Sequence, residues 1–125
     1  MTFSPKNTVV WTEIPVTDMD AAIKFYNAAL DYGLTLDTSG PNPVAMLPSN
    51  NDTGVAGHLY PGKPATGNGP TLHLAIPGKL EDSVKAWTKA GGTVISDPIT
   101  IPPGRFAYAT DPDGNSIGLF ESAKG

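Results

Sequence analysis

The chain repeats itself at a spacing of about 60 residues. The segment Trp11-Thr12-Glu13-Ile14-Pro15-Val16 returns as Thr71-Leu72-His73-Leu74-Ala75-Ile76. Val16 maps onto Ile76 and, after a one-residue insertion at Lys79, Met19 maps onto Leu80. Ile23, Lys24 and Tyr26 then map onto Val84, Lys85 and Trp87. Identities are few, but the apolar pattern is kept. Two copies of one unit make a pseudo-twofold cleft between them, and ligands bind preferentially in such clefts. The question is which side chains the two copies aim into it.

A chain of 125 residues allows one ordinary domain with a real core. We expect that domain to span 7–122, with module one at 7–60, a linker at 61–70 and module two at 71–122. The net charge of -4 and the pI near 4.8 argue against nucleic acid and anionic membrane as partners. With no cysteine there is no disulfide frame, thiolate nucleophile or Cys-based metal site. The start of the chain is unlike a signal peptide, and no apolar stretch approaches membrane-spanning length. The expected location is cytoplasmic. The 14 Gly and 13 Pro fall between periodic segments, as punctuation between short strands.

Residues 9–16 read as a strand rich in β-branched side chains. Thr17 is the expected N-cap of a helix running to about Leu30. Met19, Ala22, Ile23, Tyr26 and Leu30 form its apolar stripe, and Gly33 is its expected stop. Strands are expected at 34–37, 44–47 and 55–60, with a turn at 50–54 between the last two. The second half replays the order: a strand at 71–76, a helix at 80–90 stopped by Gly91-Gly92, and strands at 93–96, 105–110 and 116–120. Each half is thus βαβββ, with the helix on one face of its strands. The fold class is α+β: two tandem βαβββ modules forming a curved mixed sheet with a central cleft.

Strands have period two, so the open face can be read directly. In the first strand Val9, Trp11 and Glu13 face the cleft. In the strand at 71–76 the mixed set Thr71, His73 and Ala75 does so. Phe106 and Tyr108 face it from the strand at 105–110, and Ser116, Gly118 and Phe120 from the last strand. The repeat makes Glu13 and His73 symmetry mates, so a carboxylate and an imidazole are expected to approach each other near the pseudo-twofold axis.

The segments EIPVTDMDAAIKFY and YATDPDGNSIGLFE resemble the two signature segments of the vicinal oxygen chelate superfamily. That superfamily includes glyoxalase I, extradiol dioxygenases and bleomycin and fosfomycin resistance proteins. The resemblance spans about 7–122 and implies paired βαβββ modules and a homodimer. It also implies four metal-ligand positions, one on each of four strands. They fall on Trp11, on Gly57 (or His58, one residue out), on Thr71 and on Gly118. Indole, a Thr side chain and a glycine hydrogen are poor ligands for a catalytic ion.

The expected function is a metal-independent small-molecule-binding protein of the glyoxalase and bleomycin resistance type, with no cofactor. Its ligand is expected to be aromatic or cationic, held by Trp11, Glu13, His73, Arg105, Phe106, Tyr108 and Phe120. Trp11 is the stacking platform in that reading, and Arg105 is either an anion clamp or a solvated surface residue. The alternative is a glyoxalase-like lyase or isomerase, or a dioxygenase-type enzyme. It would use a divalent metal held by Glu13, His58 and His73, or a Glu13/His73 acid-base pair. Asp111 and Asp113 are read as turn formers.

Overall fold

The computed structural model describes residues 2–5, 7–49 and 54–123. Of the turn expected at 50–54, only Gly54 lies within the described residues. Along β1 (Thr12–Val16) Ile14 and Val16 are fully buried and Glu13 is exposed, as period-two alternation requires. The strand begins at Thr12 rather than at residue 9 because its partner begins there too. β3 (Gly57–Pro61) runs parallel to it, with Thr12 opposite Gly57. Gly57 permits that approach, since a Cβ there would meet the Thr12 carbonyl oxygen at 2.0 Å.

The helix α1 (Met19–Leu30) is capped by Asp18, whose carboxylate accepts the Ala21 N–H at 3.1 Å. Thr17, the cap expected from sequence, instead donates its hydroxyl to Asp113 at 2.6 Å. The helix ends at Asp31, which takes the left-handed conformation two residues before Gly33. Its buried face is Ala22, Phe25, Tyr26, Ala29 and Leu30. The strand expected at 34–37 shrinks to a single bridge between Asp37 and Val44. The Asn27 side chain is the reason: it donates to the Leu34 carbonyl at 3.0 Å and accepts the Leu34 N–H at 2.5 Å. Both backbone groups of Leu34 are then lost to any ladder. β2 (Ala45–Met46) pairs antiparallel with β3 and completes a three-stranded sheet in the order β1-β3-β2.

The second half contains β4 (Leu72–Ala75), α2 (Leu80–Ala90), β5 (Thr93–Val94), β6 (Ile99–Ile101), β7 (Gly104–Thr110) and β8 (Ser116–Ser122). Its sheet has the order β4-β8-β7-β5, with β6 paired to β7. β6 has no counterpart among the strands expected from sequence. All three of its residues are exposed, so it carries no alternation to read. α2 matches its expected bounds and ends on Gly91 at φ 115°.

Two helices over two mixed sheets make an α+β fold. The helices pack on each other through aromatic rings, with Phe25 and Trp87 centroids 4.7 Å apart and Tyr26 and Trp87 5.8 Å apart. Tyr26 and Trp87 are repeat mates, and both are fully buried. The turn at 111–115 ties the halves together. Buried Asp111 accepts from the Tyr26 hydroxyl at 2.7 Å, from the Asp113 and Asn115 N–H groups and from the Asn115 amide. The same Asn115 amide donates to the Pro15 carbonyl at 2.8 Å. Among the described residues no helix is long and apolar enough to cross a membrane.

Candidate functional site

The helix-facing side of the second sheet is closed by Ala107, Ala109, Ile117 and Leu119, all fully buried. Its other side carries His73 from β4, Phe106 and Tyr108 from β7 and Phe120 from β8. Register brings them together: Phe106 lies opposite Phe120, while Tyr108 and His73 flank Gly118 from either side. The Phe106 and Phe120 rings are nearly parallel, with centroids 6.1 Å apart and planes at 8°. The His73 imidazole stands perpendicular to both, 4.8 Å from Phe106 and 6.0 Å from Phe120. It lies directly over Gly118, where a Cβ would meet its Nδ1 at 2.2 Å. The missing side chain at 118 is therefore what lets His73 lie inside the aromatic frame.

The open side of the first sheet carries Trp11, Glu13, His58 and Tyr60. Glu13 and His58 are opposite each other in the parallel β1–β3 pair. The Trp11 indole N–H donates to His58 Nδ1 at 3.1 Å, and His58 Nε2 lies 3.3 Å from Glu13 Oε1. Indole nitrogen can only donate, so Nδ1 is the acceptor and the proton sits on Nε2, facing the carboxylate. Both imidazole nitrogens are engaged. Tyr60 closes the group with its ring edge-on to His58 at 6.2 Å. A cavity of about 510 Å³ opens beside it, lined in part by Glu13, Asp37, His58 and Tyr60.

Several sequence expectations change here. Glu13 and His73 do not pair: Glu13 meets His58, and His73 sits among Phe106, Tyr108 and Phe120. His58 shares the open face with Glu13. The parallel register sets that partnership, and face alternation within one strand does not contain it. Arg105 is part-exposed but not free to clamp an anion. Its guanidinium forks onto both Glu81 oxygens and also reaches Glu121 at 2.9 Å. Those hydrogen bonds raise the Arg105 pKa further and hold the Glu81 carboxyl at about 2. Glu81 and Glu121 were not singled out from sequence. The nearest signal for them was the first-turn position of Glu81 on its helix.

The positions that the family resemblance marks for metal do not fit one. Trp11 is a donor bound to His58. Gly57 lies against the Thr12 backbone, and His58 beside it has no free ring nitrogen. The Thr71 hydroxyl is hydrogen-bonded to Ser116 at 2.5 Å. Gly118 offers no ligand, and the space above it holds His73. The displaced set Glu13, His58 and His73 is not assembled, and among the described residues no three His, Cys, Asp or Glu side chains are grouped to hold a metal ion.

With this geometry in place, known proteins bear on it in three ways. The model of the Glyoxalase/Bleomycin resistance protein/Dioxygenase superfamily matches residues 8–119. A putative glyoxylase, CFP32, of Mycobacterium tuberculosis is 31% identical over 120 residues, covering 93% of this chain but 44% of that protein. The chain thus spans less than half the length of that relative. Among solved structures, a glyoxalase/bleomycin resistance protein from Albidiferax ferrireducens is similar with a TM-score of 0.70 and 25% identity. The match covers 92% of this chain and 98% of that one. The hypothetical protein SA1046 from S. aureus shares the fold with a TM-score of 0.70 at 15% identity, covering 94% and 95% of the two chains.

Proposed function

This chain belongs to the glyoxalase/bleomycin resistance protein/dioxygenase superfamily, and from that premise we propose that it is a metal-independent small-molecule-binding protein. Its ligand lies on the open face of the second sheet, against His73, Phe106, Tyr108 and Phe120. The observation that carries this reading is the His73 imidazole over Gly118. A glycine at the place of a family metal ligand leaves room for a ring, and three further rings frame it. Such a surface offers π faces and one imidazole, which suits a flat ligand. The net charge of -4 favours a cationic one.

The test uses N-methylquinolinium, a planar aromatic cation, in calorimetry with the protein kept in EDTA. Saturable one-to-one binding is expected. Gly118→Ala drives a methyl into the His73 ring, and Tyr108→Ala removes one wall. Each is expected to weaken binding about tenfold or more, equivalent to about 1.4 kcal/mol. Stoichiometric transition metal in the purified protein, or binding indifferent to both substitutions, overturns the proposal. We also propose a cytoplasmic homodimer, the dimer being what the family resemblance implies. Sedimentation equilibrium checks the dimer, and a monomer at all concentrations rejects it.

A further inference from the structure

The segment joining the two sheets does more than connect them. After β3 it leaves at Gly62, whose N–H donates to the Val16 carbonyl at 3.0 Å. It then passes across the seam between the halves through a left-handed run, Thr66 at φ 53° and Gly67 at φ 90°. A single backbone bond holds its middle: the Gly67 N–H donates to the Gly114 carbonyl at 2.6 Å. Gly114 must be glycine for this, because a Cβ there would come within 2.9 Å of Thr66 Cα. Between this strap and the strands lies a cavity of about 240 Å³, lined among others by Glu13, Pro15, Lys63, Asn68, Leu72 and Ser116.

Two of those residues carry opposite charge and do not neutralise each other. Lys63 has no hydrogen bond or ion pair among the described residues. Glu13 has one carboxylate oxygen on His58 and no contact with Lys63 within ion-pair distance. Asn68 and Ser116, whose hydroxyl is shared with Thr71, add polar residues to the lining, and Pro15 and Leu72 add apolar ones. The cavity falls below the range of about 300–1,000 Å³ usual for drug-sized ligands. We infer that the seam cavity is a second binding site, which takes a small zwitterion of amino-acid size. Its ammonium group meets Glu13 and its carboxylate meets Lys63. Both partners are partly solvated, so binding is weak, in the millimolar range.

The inference goes beyond the aromatic-face reading and does not depend on it. The test is amide-resolved NMR of the full chain, titrated with glycine, γ-aminobutyrate and ε-aminocaproate, and with propionate and propylamine as singly charged controls. At least one zwitterion is expected to shift the Gly67 and Gly114 amides saturably, binding at least about fivefold tighter than either control. Lys63→Gln and Glu13→Gln, both exposed side chains, are each expected to reduce that zwitterion to the level of the controls. Equal binding of zwitterions and controls, no saturable shift, or a shift unchanged in Lys63→Gln overturns the site. Saturating N-methylquinolinium is expected not to displace the zwitterion, and displacement would merge the two sites into one. If N-methylquinolinium does not bind at all, the aromatic-face reading fails and the seam site is judged on the zwitterion data alone.

Discussion

Tyr26 and Asp111 lie 85 residues apart in sequence and 2.7 Å apart in the fold. Each belongs to one of the two signature segments, so those segments are two ends of one buried contact. Burial, followed by the Asp111 charge, pushes the Tyr26 hydroxyl well above its ordinary pKa, and it remains a neutral donor. Tyr26→Phe keeps the ring and removes only that donor. Because the acceptor is a carboxylate, the expected loss is about 1.5–3 kcal/mol, towards the lower end since Asp111 keeps three other donors. The urea midpoint measures it, and an unchanged midpoint would show that the ring alone matters. At this scale the sequence was informative about faces. Period-two alternation placed His73, Phe106, Tyr108 and Phe120 on one side of their sheet. It was silent on partners: Glu13 meets His58 through the register of a parallel pair, which depends on how a segment some 45 residues away is aligned.

One helix end shows how elements lean on each other. α2 begins after Lys79, which offers no side-chain cap. Its first N–H, at Leu80, is instead accepted by Glu121 of β8 at 2.8 Å. Glu121 also meets Arg105, and Arg105 forks onto Glu81 in the first turn of α2. Strand, helix and cap are thereby locked by one cation. The Gly91-Gly92 stop made the helix bounds legible in sequence, whereas its cap was not, since the acceptor arrives from 41 residues downstream. β6 was hidden for a related reason: its three exposed residues form only through pairing with β7. The Arg105 pairing has a pH signature. In the fold the Glu81 carboxyl titrates at about 2, below its ordinary 4.5, chiefly through its hydrogen bonds to Arg105. A depressed carboxyl contributes stability that is full above its unfolded pKa and is lost as pH falls through the folded one. Stability is therefore expected to decline as pH drops from 4.5 towards 2. Glu81→Gln should flatten that decline in melts across the interval. An unaltered slope would assign the acid sensitivity to other carboxylates.

At the scale of the molecule the repeat acquires a physical meaning. The mates Tyr26 and Trp87 meet edge to face where the two helices pack, with Phe25 wedged against both. Trp87 also donates its indole N–H to the Thr110 carbonyl at 3.0 Å. The core on either side is continuous, running from Ile14, Val16 and Leu59 to Leu80, Ile117 and Leu119. Neither half can lose this joint and keep a closed core of its own, so the halves should unfold as one unit. Trp87→Ala opens a large cavity at the joint and is expected to cost about 3–5 kcal/mol. That is a large part of the roughly 5–15 kcal/mol typical of a domain. The substitution also isolates a reporter. It leaves Trp11, in the first half, as the remaining indole. Trp87→Phe, which leaves the same single indole and keeps a ring at the joint, is the reference. In urea, Trp11 emission and far-ultraviolet circular dichroism should give one shared midpoint in each variant, lower in Trp87→Ala. If the halves were independent, Trp11 would keep the midpoint of the reference while the circular dichroism split into two steps. The repeat would then describe two neighbours rather than one cooperative body.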